Sequence, residues 1–211
     1  MLVSERSAPT AGPAIPKVCP RRPGTTKTAN FDIKDIDYDI RIVDSPTEVR
    51  DLIIETNRAH NHSRILAGYC WEWIKSGKND SSVHDIKIDD FEMSWNLGNT
   101  TTFAIDEDSV NEVGCIHTSQ GLEFDYAGVI IGDDMRFENG HIITDFTKRA
   151  KTDQSLKGIK KLYKENPQYA LKEADEIIKN TYRTLMTRGM KGCYVYCTDS
   201  NLAHYLREHL E

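Results

Sequence analysis

The chain has 211 residues, 38% apolar and 28% charged, with 27 Lys and Arg against 33 Asp and Glu for a net charge of -6. That composition suits one globular domain with room for a tail, and the acidic balance excludes a protein whose whole surface binds nucleic acid. No run approaches the roughly 18 apolar residues of a membrane span and no continuous apolar signal opens the chain, so a cytoplasmic location without a membrane partner is expected.

Residues 1–30 hold five of the seven prolines and little periodic hydrophobicity, which reads as a disordered or loosely packed tail. Within it, Pro23-Gly24-Thr25-Thr26-Lys27-Thr28 imitates a phosphate-binding loop. That loop needs glycine just before the lysine and another five residues earlier, so that backbone amides can wrap the phosphates. Thr26 and Arg21 occupy those positions, and the resemblance is rejected.

The folded domain is expected over 31–211. Tyr38 to Val43 alternates like a strand. Ser45-Pro46-Thr47-Glu48 then marks a helix start, with a serine cap, proline in the first turn and glutamate three residues on. This helix runs to about Asn57 and turns Val49, Leu52 and Ile53 inward. Arg64 to Tyr69 reads as a buried strand. Trp71, Trp73 and Trp95 follow in a loop-rich region, where they either pack under loops or stack on bases.

Glu112 to Ile116 and Ala127 to Ile131 read as strands flanking the segment His117 to Phe124. A polar excursion, Arg136 to Asp153, contains hairpin chemistry at Glu138-Asn139-Gly140. Ser155 to Lys164 suggests a short basic helix. Asn166-Pro167 opens a long one through roughly Thr187, with Ala170, Ala174, Ile177, Ile178, Tyr182 and Leu185 inward. Cys193 to Cys197 reads as a strand, and Asp199 caps a last helix ending near Leu210. Strands alternating with helices predict an α/β fold, a sheet layered by helices.

The five cysteines, Cys19, Cys70, Cys115, Cys193 and Cys197, form no CxxC pair, so reduced thiols are expected rather than a zinc site or a disulfide frame. His60 and His62 lack a carboxylate cluster beside them, and no metal site is indicated. Charge is unevenly spread. Lys148 to Lys191 carries twelve Lys and Arg against five Asp and Glu, a local +7 that leaves -13 for the rest. This is either a phosphate-binding face or the solvated side of helices.

Two segments carry chemistry. In His117 to Phe124, Thr118, Ser119 and Gln120 would place hydroxyls, an amide and backbone N–H groups at a helix N-terminus, which suits phosphate or a nucleic-acid backbone. An ordinary capped helix would look the same. Gly121 permits close approach, and Glu123 could accept from a ribose hydroxyl. In Leu185 to Gly189, a helix delivers Thr187 and Arg188 to a turn. A guanidinium held there can stabilise charge on a transferred phosphoryl group.

Together these segments resemble motifs V and VI of superfamily 1 DNA/RNA helicases. More closely, the chain from about Phe31 to Leu210 resembles the C-terminal part of the Schlafen group 3-like DNA/RNA helicase domain family. The residues carrying that resemblance are Ala67 to Trp73, Gly114 to Gly132 and Asn180 to Asp199. The resemblance implies a RecA-like second motor domain of the P-loop NTPase type, with a mostly parallel sheet flanked by helices. It implies that Thr118 and Ser119 touch the nucleic-acid backbone or transmit the nucleotide state, that Gln120, Gly121, Glu123 and Thr187 border the nucleotide, and that Arg188 is the arginine finger, with Lys191 near enough to assist.

A full motor also needs a P-loop lysine and a Mg²⁺-holding acidic motif, and neither is found in this sequence. The expectation is therefore half of an ATP-dependent motor that is no ATPase alone. It would meet ATP and Mg²⁺ only with a partner P-loop domain, and would bind none by itself. Expected partners are DNA or RNA and a separately encoded N-terminal RecA-like domain. The alternatives are a nucleic-acid or protein interaction module, or an ATPase completed in trans.

Overall fold

Ser45 starts the first helix as its side chain predicts. Its hydroxyl accepts from the Glu48 N–H at 3.1 Å, Glu48 in turn accepts from the Asp44 N–H at 3.2 Å, and Pro46 fills the first turn. This helix, α1, spans Pro46–His60 and follows strand β1, Asp39–Ile42. It ends where Asn61 turns left-handed at φ 48°, a conformation asparagine tolerates. The computed structural model describes residues 37–74, 82–96 and 102–210. The proline-rich tail, its failed phosphate loop and Cys19 lie outside the described residues.

The remaining strands are β2 (Ser63–Ala67), β3 (Ile86–Ile88), β4 (Phe91–Trp95), β5 (Glu112–Gly114), β6 (Phe124–Ile131), β7 (Met135–Glu138), β8 (His141–Thr144) and β9 (Gly189–Cys197). The remaining helices are α2 (Ile159–Glu165), α3 (Pro167–Met186) and α4 (Ser200–Glu208). Seven strands form one sheet in the order β1-β9-β6-β2-β5-β4-β3. All neighbours run parallel except β3, which pairs antiparallel to β4 at one edge. A parallel sheet must be covered on both faces. Here α1 lays Val49 and Ile53 on Ile65, Ile130 and Tyr194, while α3 and α4 cover Ala127, Val129, Cys193 and Val195. This is the expected α/β architecture, a mostly parallel sheet flanked by helices and compatible with a RecA-like motor domain.

Helix α3 begins as Asn166 accepts from the Tyr169 N–H at 3.2 Å, and it buries Ala170, Ala174, Ile178, Tyr182 and Leu185. Between β7 and β8, Asn139 and Gly140 both take positive φ, 51° and 80°, the pair of angles a tight hairpin needs. Burial pushes the Cys193 and Cys197 thiols well above their ordinary range, so they behave as inert apolar groups.

Several expectations need correcting. The region around the tryptophans is not all loop, because β3 and β4 form a hairpin whose turn residue Asp89 sits at φ 49°. Trp95 belongs to β4 and is fully buried, stacked on Tyr69 at 5.5 Å and on Trp73 at 6.3 Å. Strand β9 begins at Gly189 and β6 at Phe124, earlier than alternation indicated. Helix α2 begins at Ile159 because the Asp153 carboxylate accepts the Ser155 N–H at 2.9 Å and holds 154–156 in a separate 3-10 turn. Among the described residues no helix is long and apolar enough to cross a membrane.

Candidate functional site

After β5 the chain makes consecutive turns rather than the expected helix. The Ser119 N–H donates to the Cys115 carbonyl at 3.0 Å, and the Leu122 N–H donates to that of Ser119 at 3.1 Å. Gly121, at φ 76°, ends any helical path. The helix N-terminus read at Thr118 to Gln120 is therefore absent.

The two hydroxyls point inward. Thr118 is 4% exposed and donates to Asn96 Oδ1 at 2.7 Å, with Cys115 Sγ at 3.4 Å. Ser119 is fully buried and donates to the Cys115 carbonyl at 3.1 Å. Both hold the turn closed in this conformation. Gln120, Gly121 and Glu123 form its exposed rim, while Phe124 drops into the core and starts β6.

The second segment meets this rim directly. The Phe124 N–H donates to the Arg188 carbonyl at 2.8 Å, and Phe124 pairs with Gly189 where β6 and β9 begin. Thr187 closes α3, its hydroxyl donating back to the Arg183 and Thr184 carbonyls at 3.0 and 2.9 Å. Arg188 is half-buried, and its Nε is shielded from solvent without a hydrogen-bond partner among the described residues. A shielded guanidinium N–H without an acceptor is costly, so this geometry favours an acceptor arriving from outside.

Sequence reasoning missed a brace beneath this junction. The Tyr38 hydroxyl sits 3.3 Å from both the Met186 and Gly189 carbonyls, tying β1 to the turn that carries Arg188. Lys191, expected to assist, is paired with Asp125 at 2.7 Å, and His62 approaches the other oxygen of that carboxylate at 3.5 Å. Burial works to raise the Asp125 pKa, but the hydrogen bonds from Lys191 and His62 outweigh it and hold the carboxyl below its usual range.

At the opposite end of the sheet lies a second polar centre that the sequence had shown only as a polar excursion. Arg149, with a side chain 1% exposed, bonds Asp134 at 3.0 Å and Asp153 at 2.7 Å. The Tyr182 hydroxyl donates to the other Asp134 oxygen and accepts the Gly132 N–H at 3.0 Å. Burial disfavours the charged guanidinium, but Asp134, Tyr182 and Asp153 more than compensate and keep it ionised. Gly68, just past β2, leaves the space this hydroxyl fills, since a methyl group there would overlap it. Among the described residues no group of three His, Cys, Asp or Glu could hold a metal ion.

Comparison with known proteins adds the family. Residues 22–199 match the Schlafen group 3, DNA/RNA helicase domain. The uncharacterized protein YPL245W of Saccharomyces cerevisiae is 28% identical over 187 residues, covering 87% of this chain. The chain spans 39% of that relative's length. No solved structure matches. With most of its length inside the matched domain, and with the junction of Phe124 and Arg188 formed by two of the segments that first suggested it, the chain belongs to the Schlafen group 3 DNA/RNA helicase domain family.

Proposed function

We propose that this chain supplies the second motor half of a superfamily 1-type, ATP-dependent nucleic-acid translocase. In this reading Arg188 is the arginine finger, and Gln120, Gly121, Glu123 and Thr187 border the nucleotide. One observation carries it: the Phe124–Arg188 hydrogen bond joins the exposed rim of the turn to the arginine, whose shielded Nε lacks an acceptor. An incoming γ-phosphoryl group would supply that acceptor. Charge developing on the group in the transition state would strengthen the contact, which is how a finger accelerates transfer.

ATP and Mg²⁺ would be held mainly by a first RecA-like domain. This chain would contribute the guanidinium, a Glu123 carboxylate for a ribose hydroxyl, and a glycine rim that lets the nucleotide approach closely. Thr118 and Ser119 would act by shaping the turn that meets the nucleic-acid backbone, since their hydroxyls are engaged with Asn96 and Cys115.

The test mixes the chain with a P-loop domain of the same family and follows single-strand-stimulated ATP turnover. Arg188→Ala is expected to lower turnover by about 10³-fold or more while nucleotide binding persists. Near-normal turnover in that variant would falsify the finger assignment. ATP turnover at helicase-like rates by the chain alone would show that it is not half of a motor.

A further inference from the structure

Strand β9 falls out of step with β6 just after Arg188. The pairing runs from Phe124–Gly189 to Tyr126–Gly192, so Met190 and Lys191 of β9 together oppose Asp125 of β6. Bulges are rare between parallel strands; they bend the bulged strand and re-aim the side chains beside it. This one accounts for Gly189, because a methyl group there would overlap the Gly192 carbonyl that the bend brings close.

Met190 and Lys191 are both exposed, so the bulge gains little hold from the core. Polar contacts hold it instead. Lys191 Nζ reaches across to Asp125 Oδ2 at 2.7 Å, closing the longer side of the bulge against the shorter. The Asp125 N–H donates to the His62 carbonyl at 2.7 Å, and the His62 ring lies 3.5 Å from Oδ1, which anchors the pair beside β2. On the other side of Arg188, the Tyr38 hydroxyl ties the Met186 and Gly189 carbonyls. The Arg188 Nε makes no hydrogen bond among the described residues, so the aim of the guanidinium is set largely through the backbone on either side.

We propose that the Asp125–Lys191 pair is a positioning clasp: it closes the bulge and so fixes the direction in which Arg188 leaves the junction. Both residues act through the arginine rather than on the reacting groups. The proposal rests on the reading of Arg188 as the finger and deepens it by assigning what aims that finger. A partly exposed pair contributes little to stability, but a displacement of about 1 Å near the chemistry costs about a hundredfold in rate. The clasp should therefore show in turnover far more than in melting.

Two measurements test it. In the full chain mixed with a P-loop domain of the family, Asp125→Asn and Lys191→Met should each lower kcat for ATP turnover by about ten- to a hundredfold. KM for ATP should stay within about twofold, as expected when only a transition-state contact is lost. The double variant should be no slower than either single one, since both break the same contact. Lys87→Met, which breaks an exposed pair with Glu92 across the β3–β4 hairpin, should leave kcat unchanged. In the chain alone, carrying isotope-labelled arginine, the Arg188 Nε–H resonance is identified by its loss in Arg188→Lys. It should show the heteronuclear NOE of an ordered group, and in both single variants that NOE should fall to the level of the solvent-exposed arginines.

An unchanged NOE in Asp125→Asn overturns the proposal, as does a wild-type NOE already at the exposed level. Wild-type kcat in Asp125→Asn, where Arg188→Ala is slow, also overturns it. A loss confined to Lys191→Met, one that adds in the double variant, or one carried by KM overturns it in favour of direct contact between Lys191 and the nucleotide. If Arg188→Ala itself leaves turnover intact, the finger reading fails alone, and the NOE still decides whether the pair holds the arginine.

Discussion

Arg149 and Arg188 stand at opposite ends of one sheet and in opposite electrostatic settings. Arg149 is sealed from solvent, and two carboxylates satisfy its charge within the fold. Arg188 is half-buried, fixed through its backbone to Phe124, and its Nε has no acceptor among the described residues. The first arginine is complete without a ligand and the second is not. Burial alone therefore does not separate the proposed finger from a structural arginine; the missing acceptor is what sets Arg188 apart.

The contrast can be broken by stability measurements. Arg149→Ala leaves Asp134 and Asp153 buried without their cation, and urea unfolding should show a loss of about 3–5 kcal/mol. A loss below about 1 kcal/mol would mean that the pair is not structural. Tyr182→Phe deprives both Asp134 and the Gly132 N–H of a partner, with an expected cost of about 1–3 kcal/mol in the same assay.

Asp125→Asn should cost less, about 0.5 kcal/mol, because the carboxylate is partly exposed and its partners are screened. Its pKa is held low in the folded chain, so its contribution is present above the unfolded value, about 3.9, and fades as pH falls through the folded one. Wild type and variant should thus unfold at the same urea concentration near pH 2, and differ at pH 6. Arg188→Ala should change stability least, within about 0.5 kcal/mol. A loss matching that of Arg149→Ala would erase the distinction between the two arginines.

Local chemistry made much of this molecule legible. Ser45-Pro46-Thr47-Glu48, Asn166-Pro167 and Asn139-Gly140 each solve a backbone problem within a few residues, so the sequence marks α1, α3 and the β7–β8 hairpin directly. The junction of Gly121 to Phe124 with Thr187 and Arg188 was legible only through resemblance, because the contact joins two strands far apart in sequence. The inward turn of Thr118 and Ser119 was not legible: it depends on Asn96 and on a Gly121 that breaks the helix the composition suggested. The Arg149 centre was missed for a related reason. Arg149 and Asp153, four residues apart, were the one local sign of it, while Asp134 and Tyr182 arrive from elsewhere. Strands β3 and β4 escaped notice because β3 is only three residues long and the acidic Asp89-Asp90 turn reads as loop.

The vacant side-chain position at Gly68 has one more consequence. A long helix on a sheet can settle in several neighbouring seats, shifted by a turn or rotated by one residue. Here the Tyr182 ring projects through the gap left by Gly68 to reach the Gly132 N–H, and no other buried residue of α3 carries a hydroxyl that long. The missing methyl group thus works as a keyway that admits one seating of α3. Because Arg188 follows the end of that helix, the seating also decides where its guanidinium emerges.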